Sequence, residues 1–298
     1  PPGSGAGLGA SPSGLTSGNP SREASMTAHY RAAVSVFRTA LRALAVDVQA
    51  EGVEHIPGGG QVIFAATHVS YPDFVFIQEA ASGGGRDLRF MSRHDVWNKR
   101  WAASFMDGMR HIPVDREAPA AAYLRARELL AQGEAVAIFP EAGISYSFTV
   151  RPLMRGVASL ARATGAPVIP AAIWGSQRIY SVGNPEPPFD RTRGRRVDVV
   201  FGEPLLVSPP DDPTEVTKHL GHTLTQMLEG LQLRDHHRPR PGELATWYPA
   251  HLGGCAPTRQ QALALDVVPA SAVLPTWGPD LHVYGDQARS RSADHPPT

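Results

Sequence analysis

Six short apolar runs alternate with helix-like segments through the middle of this 298-residue chain. The runs fall at residues 62–66, 88–91, 111–114, 135–139, 168–173 and 197–201. Candidate helices lie between them at 72–81, 96–107, 118–131 and 153–163, and another follows at 214–231. Alternation of this kind predicts an α/β fold with a mixed, largely parallel sheet and helices on both faces.

The segments on either side of this alternating region differ from it in composition. Residues 1–25 are mostly glycine, serine, proline and alanine, which cannot bury enough apolar surface to become ordered. Residues 27–46 repeat apolar side chains at steps of three and four, which predicts an amphipathic helix ahead of the sheet. Such a helix can cover the core, lie in a membrane interface, or do both. The predicted organisation is a disordered segment at 1–25, one domain at 26–234, an extension at 235–277 that docks on the domain, and a disordered tail at 278–298.

Composition narrows the classes of protein to which the chain can belong. Lysine plus arginine and aspartate plus glutamate both number 28, and this zero net charge argues against a nucleic-acid binder. The single cysteine, Cys255, excludes an internal disulfide and a multi-cysteine metal site, so a reducing cytosol is expected. We find no run of about 18 apolar residues that could span a bilayer and no secretory signal pattern.

The first apolar run leads into a candidate site, because Thr67 and His68 follow it directly. Pro72 favours the first turn of a helix, so Asp73 falls at the opening of the next element. Ligands of open α/β sheets usually bind at the carboxyl ends of strands, which is where His68 is predicted to lie. On this stretch alone, a histidine that only hydrogen-bonds the backbone of a turn is the favoured interpretation, and the other clusters of the chain must decide.

Three more polar or proline-rich clusters follow strands in the same way. They are residues 108–116, 138–145 and 166–173. Because the carboxyl ends of parallel strands lie at one edge of a sheet, the four clusters are expected to converge on one crevice.

In order and content these clusters resemble the glycerolipid acyltransferase family, which includes the 1-acylglycerol-3-phosphate acyltransferases. The first motif of that family is a histidine and an aspartate separated by four residues, matched by His68 and Asp73. Asp115-Arg116 matches the end of the second motif, Phe139-Pro140-Glu141 matches the third, and residues 167–170 match the fourth. The resemblance covers about residues 50–205 and implies the glycerolipid-acyltransferase fold for the domain.

The residue types fit the transfer of an acyl group from a thioester to a hydroxyl. A histidine is the usual general base at neutral pH, and a carboxylate can fix its tautomer and stabilise the imidazolium. No serine or cysteine nucleophile is evident, so His68 and Asp73 are predicted to catalyse direct transfer without an acyl-enzyme. The resemblance adds a set of predicted substrate-binding residues: Arg116, Glu141, Gly143, Arg93, Ser145 and Arg178. Alternative roles are a salt bridge for Arg116, a helix-start carboxylate for Glu141 and a solvent-exposed position for Arg93.

One departure from the family pattern concerns the acceptor lipid. Ile144 stands where the third motif of the family has an arginine that holds the acceptor's phosphate. Lysophosphatidate can then be the acceptor only if other arginines take over, among them Arg116, Arg93, Arg151, Arg155 and Arg178.

The predicted function is transfer of a fatty acyl chain from acyl-CoA or acyl-carrier protein to lysophosphatidate, giving phosphatidate in phospholipid biosynthesis. The expected partners are a lysophospholipid, the acyl donor and the cytoplasmic face of the cell membrane, with peripheral attachment and no nucleic acid. No metal or other cofactor is expected. Three alternatives are another lysophospholipid or glycolipid acceptor, a non-catalytic lipid-binding module, and a metal-assisted hydrolase with His68, Asp73 and Glu141 as ligands.

Overall fold

The computed structural model describes residues 35–36, 38–39, 41–98, 100–115, 117–265 and 275–279. Its strands are β1 (Asp47–Glu51), β2 (Val62–Ala66), β3 (Leu88–Arg93), β4 (Ile112–Val114), β5 (Ala135–Ile138), β6 (Val168–Trp174) and β7 (Arg196–Phe201). Its helices are α1 (Asp73–Ser82), α2 (Arg100–Gly108), α3 (Ala120–Ala131), α4 (Gly156–Thr164), α5 (Pro213–Gln232) and α6 (Arg259–Leu265). Short 3₁₀ helices lie at Val53–His55, His94–Asn98, Ser176–Arg178, Asp235–His237 and Ala250–Leu252.

The strands of the described residues form one seven-stranded sheet in the order β1-β7-β6-β2-β5-β3-β4. The β6–β7 pair is antiparallel, and the other neighbouring pairs are parallel. All five residues of β2 and all seven of β6 are buried, so both faces of the sheet are covered at its centre. The prediction of a mixed, largely parallel sheet between helices is confirmed.

The direction of the crossovers explains why helices cover both faces. The β2-α1-β3 connection runs one way along the sheet, whereas β4-α3-β5 and β5-α4-β6 run the other way. Because such crossovers are right-handed, α1 lies on one face and α3 and α4 lie on the opposite face. The crossovers reverse direction at the centre of the sheet, beside the carboxyl ends of β2, β5 and β6, which is where sheets of this type usually bind ligands.

Two predicted helices differ from the structure. The helix predicted over 96–107 is a 3₁₀ turn at His94–Asn98 followed by α2 from Arg100. Most of the helix predicted over 27–46 lies outside the described residues. Its described end stops at residue 43, and the chain turns through Ala45, which has a φ of 49°, into β1.

The described part of the C-terminal extension packs on the domain. Tyr248 is buried against Trp174, and its hydroxyl donates to the Gln232 carbonyl at 2.7 Å. Trp277 pairs with Leu153 and lies over Gly221 of α5. Residues 1–25 and 280–298 lie outside the described residues, so the predictions of disorder there stay predictions. Within the ranges that the structure describes, no helix is both long enough and apolar enough to cross a bilayer.

Candidate active site

The turn after β2 is fixed by the neighbouring strand β6. Thr67 is fully buried, and its backbone N–H donates to the Ala171 carbonyl at 3.0 Å. Its hydroxyl accepts a hydrogen bond from the N–H of Ile173 at 3.2 Å. The next residue, His68, therefore begins its turn at a defined position on the carboxyl edge of the sheet.

His68 and Asp73 meet as predicted from their spacing. His68 Nδ1 lies 3.0 Å from Asp73 Oδ2, and the side chain of His68 is 18% exposed. The same Asp73 oxygen accepts the backbone N–H groups of Val69 at 2.7 Å and Ser70 at 2.8 Å. The other oxygen accepts the hydroxyls of Ser70 and Ser176, the latter at 2.7 Å.

Two backbone N–H groups, two hydroxyls and the His68 ring surround this fully buried carboxyl group, and such an environment favours an ionised acceptor. Asp73 is therefore a carboxylate, and Nδ1 of His68 carries the proton that it donates to Oδ2. The second ring nitrogen, Nε2, is then unprotonated and can accept a proton from a substrate.

Aromatic side chains pack against one face of the His68 ring. The Phe139 ring stacks on it with centroids 4.0 Å apart and planes 16° apart. Phe139 in turn stacks on Phe90 of β3, which makes edge contacts with Phe74 and His111. Ring orientation is thus set by packing on one side and by Asp73 on another.

Glu141 links the backbones of two loops. Its Oε1 accepts the N–H of His68 at 2.8 Å, and its Oε2 accepts the N–H of Arg151 at 2.7 Å. Burial raises the pKa of Glu141 to about 8, although the two backbone hydrogen bonds and the charge of Arg151 act in the opposite direction. Glu141, a predicted substrate-binding residue, thus holds together the turn that contains His68 and the loop that contains Arg151.

The loop after Glu141 brings Gly143 and Ser145 to the same edge. Ser145 donates its N–H to the His68 carbonyl at 3.0 Å. Its hydroxyl is fully buried and donates to the Thr149 carbonyl at 2.6 Å. A side chain at Gly143 would place its Cβ within 3.0 Å of Arg151 Nη1, so the guanidinium would have to move from its present position.

The predicted substrate-binding arginines of the described residues have different surroundings. Arg93, at the end of β3, has a 64% exposed side chain that donates to Asp95 at 2.6 Å. Arg178 lies beyond Ser176, with its Cζ 4.1 Å from the centroid of the Trp247 ring. Burial, with a contribution from Arg195, lowers the pKa of Arg178. Arg116 lies outside the described residues.

Sequence reasoning missed several residues that build the site. Ser70 and Ser176 complete the hydrogen bonds of Asp73, and Phe139 orients His68. Ser176 comes 103 residues after Asp73, so no local spacing connects the two. The sequence signal that could have identified Ser176 is its position two residues after the end of β6, at the same edge of the sheet as His68.

A possible metal-binding group lies elsewhere in the described part of the chain. Asp198, His236 and His237 have donor atoms within 4.8 Å of one another. Asp198 also accepts hydrogen bonds from Arg196 at 2.8 Å and Arg234 at 3.3 Å, and these two positive charges oppose a cation. His68, Asp73 and Glu141 do not form such a group among the described residues.

Comparisons with known proteins agree with the geometry. Residues 47–174 match the model of the Acyltransferase family. The 1-acyl-sn-glycerol-3-phosphate acyltransferase of Bacillus subtilis is 29% identical over 156 residues, which cover 51% of this chain and 70% of that protein. The chloroplastic 1-acyl-sn-glycerol-3-phosphate acyltransferase BAT2 of Brassica napus is 25% identical over 45% of this chain and 39% of its own length.

A solved structure shares the fold. The crystal structure of the 1-acyl-sn-glycerophosphate acyltransferase PlsC from Thermotoga maritima superposes with a TM-score of 0.58. The likeness covers 72% of this chain and 83% of that one at 22% identity. The family model and the sequence relatives support the glycerolipid acyltransferase family for this chain, which is similar to the 1-acylglycerol-3-phosphate O-acyltransferases, and the solved structure shows that the fold is shared.

Proposed function

We propose that the protein transfers a fatty acyl chain from acyl-CoA or acyl-carrier protein to the hydroxyl of lysophosphatidate, giving phosphatidate for phospholipid biosynthesis. The observation that carries the proposal is the hydrogen bond from His68 Nδ1 to the buried Asp73 carboxylate. This bond leaves Nε2 as a base in a partly exposed position at the crevice. The names of the relatives from Bacillus subtilis and Brassica napus support the acceptor.

In the proposed reaction, His68 alone carries the proton from the acceptor hydroxyl to the leaving thiolate. Nε2 removes the proton of the acceptor hydroxyl while its oxygen attacks the thioester carbonyl carbon. The new carbon–oxygen bond forms, the carbon–sulfur bond breaks, and the imidazolium returns the proton to the leaving thiolate. Asp73 stabilises the imidazolium between these two steps. The acyl donor is the co-substrate, and no further cofactor takes part in this scheme.

We also propose that the protein works as a peripheral protein at the cytoplasmic face of the cell membrane. Both the proposed acceptor and product are amphiphiles that reside at a bilayer surface, so the crevice must meet its substrate there.

The test is thiol release from oleoyl-CoA by the pure protein, with lysophosphatidate, lysophosphatidylcholine or lysophosphatidylinositol as acceptor. We expect release that depends on lysophosphatidate and falls by about 10²–10⁴-fold in His68→Ala. His219→Ala is the matched control, because His219 is exposed on α5. Release only with another acceptor would favour the alternative lipid. No thiol release from either oleoyl-CoA or oleoyl-acyl-carrier protein would favour a non-catalytic lipid-binding module. A folded His68→Ala variant with full turnover would refute the assignment of the base.

A further inference from the structure

The guanidinium of Arg151 lies in the active-site loop, although residue 151 comes ten residues after Glu141 in the chain. Its Nη1 donates to the Ile144 carbonyl at 3.4 Å and lies over the backbone of Gly143. An added Cβ at Gly143 would come within 3.0 Å of that nitrogen. Gly143 therefore provides the space in which the guanidinium lies.

The backbone of Arg151 is fixed relative to the catalytic histidine. One carboxyl group, that of Glu141, accepts the N–H of His68 through one oxygen and the N–H of Arg151 through the other. Glu141 thereby ties the loop that contains Arg151 to the turn that contains His68. Because burial keeps the pKa of Glu141 at about 8, this carboxyl group adds little negative charge at neutral pH.

The other predicted arginines of the described region have no comparable link to His68. Arg93 is largely exposed and bound to Asp95, Arg178 lies against Trp247, and Arg155 is exposed just before α4. Ile144, at the position of the family's motif arginine, offers an apolar side chain and a carbonyl that accepts from Arg151.

We propose that Arg151 binds the phosphate of the acceptor and that Gly143 favours this binding because it leaves space for the guanidinium. A phosphate monoester carries between one and two negative charges, and a guanidinium binds it through two parallel N–H donors. The inference rests on the proposed function, since it identifies how that site accepts lysophosphatidate without an arginine at position 144.

The test separates binding from turnover. Lysophosphatidate is titrated into wild type, Arg151→Gln, Arg151→Lys and Gly143→Ala, and KM and kcat are measured with oleoyl-CoA as donor. Monoacylglycerol serves as an acceptor that keeps the hydroxyl and acyl chain but lacks the phosphate. Arg125→Gln is the matched control, because Arg125 is exposed on α3 and pairs with Glu128.

We expect Arg151→Gln to raise the Kd and KM for lysophosphatidate by about 10- to 100-fold, with the KM for oleoyl-CoA unchanged. Arg151→Lys should restore part of the loss, since it keeps the charge but not the paired donors. Gly143→Ala should give a similar increase, because its methyl group displaces the guanidinium. The double variant should be no weaker than Arg151→Gln alone, as required when both changes act on one contact.

A lysophosphatidate Kd in Arg151→Gln within about twofold of wild type would overturn the inference, as would equal losses with monoacylglycerol. The proposed function fails in a different way, namely when wild type releases no thiol with lysophosphatidate. An arginine-dependent Kd would then still support the inference for phosphate binding.

Discussion

Replacing Asp73 with asparagine and with alanine separates the charge of its carboxylate from the hydrogen bonds that it accepts. In Asp73→Asn the amide oxygen can take the place of Oδ2 and accept from His68, Val69 and Ser70, as the carboxylate does. The amide nitrogen then faces the hydroxyls of Ser70 and Ser176, which can act as acceptors instead of donors. All five contacts survive, His68 keeps its tautomer, and only the negative charge is lost.

The structure gives a magnitude for that loss. For charges about 4 Å apart at an effective dielectric constant of about 20, the attraction between carboxylate and imidazolium is about 4 kcal/mol. Removing it from the transition state lowers the rate by on the order of 10³-fold. Asp73→Ala in addition leaves two buried backbone N–H groups without acceptors, which costs about 3–5 kcal/mol of folding free energy.

The assay pairs kcat for thiol release with urea unfolding of each variant. We expect Asp73→Asn to lose about 10³-fold in kcat while its free energy of unfolding stays within about 1 kcal/mol of wild type. Asp235→Asn is the control, because the Asp235 side chain is 98% exposed. An Asp73→Asn enzyme that retained more than about a tenth of wild-type kcat would refute the electrostatic role of this carboxylate.

Two further predictions concern the dependence of stability on pH. Because the pKa of Glu141 rises from 4.5 to about 8 on folding, the native state holds a proton that the unfolded chain releases, and stability should fall as pH rises from 4.5 to 8. Glu141→Gln should flatten this part of the profile in urea unfolding, and an unchanged slope would contradict the reasoning. Burial alone would raise the pKa of Asp198, but hydrogen bonds from His237, Arg196 and His236 outweigh it and hold the pKa well below its usual value. Asp198→Asn should therefore cost about 3 kcal/mol at neutral pH, with a difference from wild type that shrinks below pH 3.8, and equal stabilities at neutral pH would show that the network contributes nothing.

Six of the seven strands were predictable from sequence because they lie in the interior of the sheet or keep an apolar pattern. Parallel strands covered on both faces carry continuous apolar side chains, and each predicted run corresponds to a strand within a few residues of its bounds. β1 was missed because it is an edge strand whose side chains are mostly exposed, Asp47 and Glu51 among them. Edge strands of this kind lack the apolar pattern on which the prediction depended.

The contact between His68 and Asp73 was predictable, and its surroundings were not. His68 and Asp73 are close in sequence and lie where a strand gives way to a helix, so spacing and local structure brought them together. Ser176 reaches Asp73 from the end of β6, and Phe139 reaches His68 from the end of β5. Contacts between such distant segments depend on strand order, which an alternating pattern alone does not specify.

The site contains two buried carboxyl groups whose surroundings assign them different tasks. Asp73 is surrounded by five hydrogen-bonding groups, which stabilise a negative charge beside the ring that becomes positive in the proposed transfer. Glu141 receives two backbone N–H groups and is otherwise shielded, so its pKa is raised and it can hold two loops together without adding charge at neutral pH. If the two protonation states were exchanged, His68 would lose its counter-ion, and an anionic acceptor would meet a negative charge beneath its binding loop. The proposed transfer to a phosphate-bearing acceptor therefore depends on the burial of Glu141 as much as on the ionisation of Asp73.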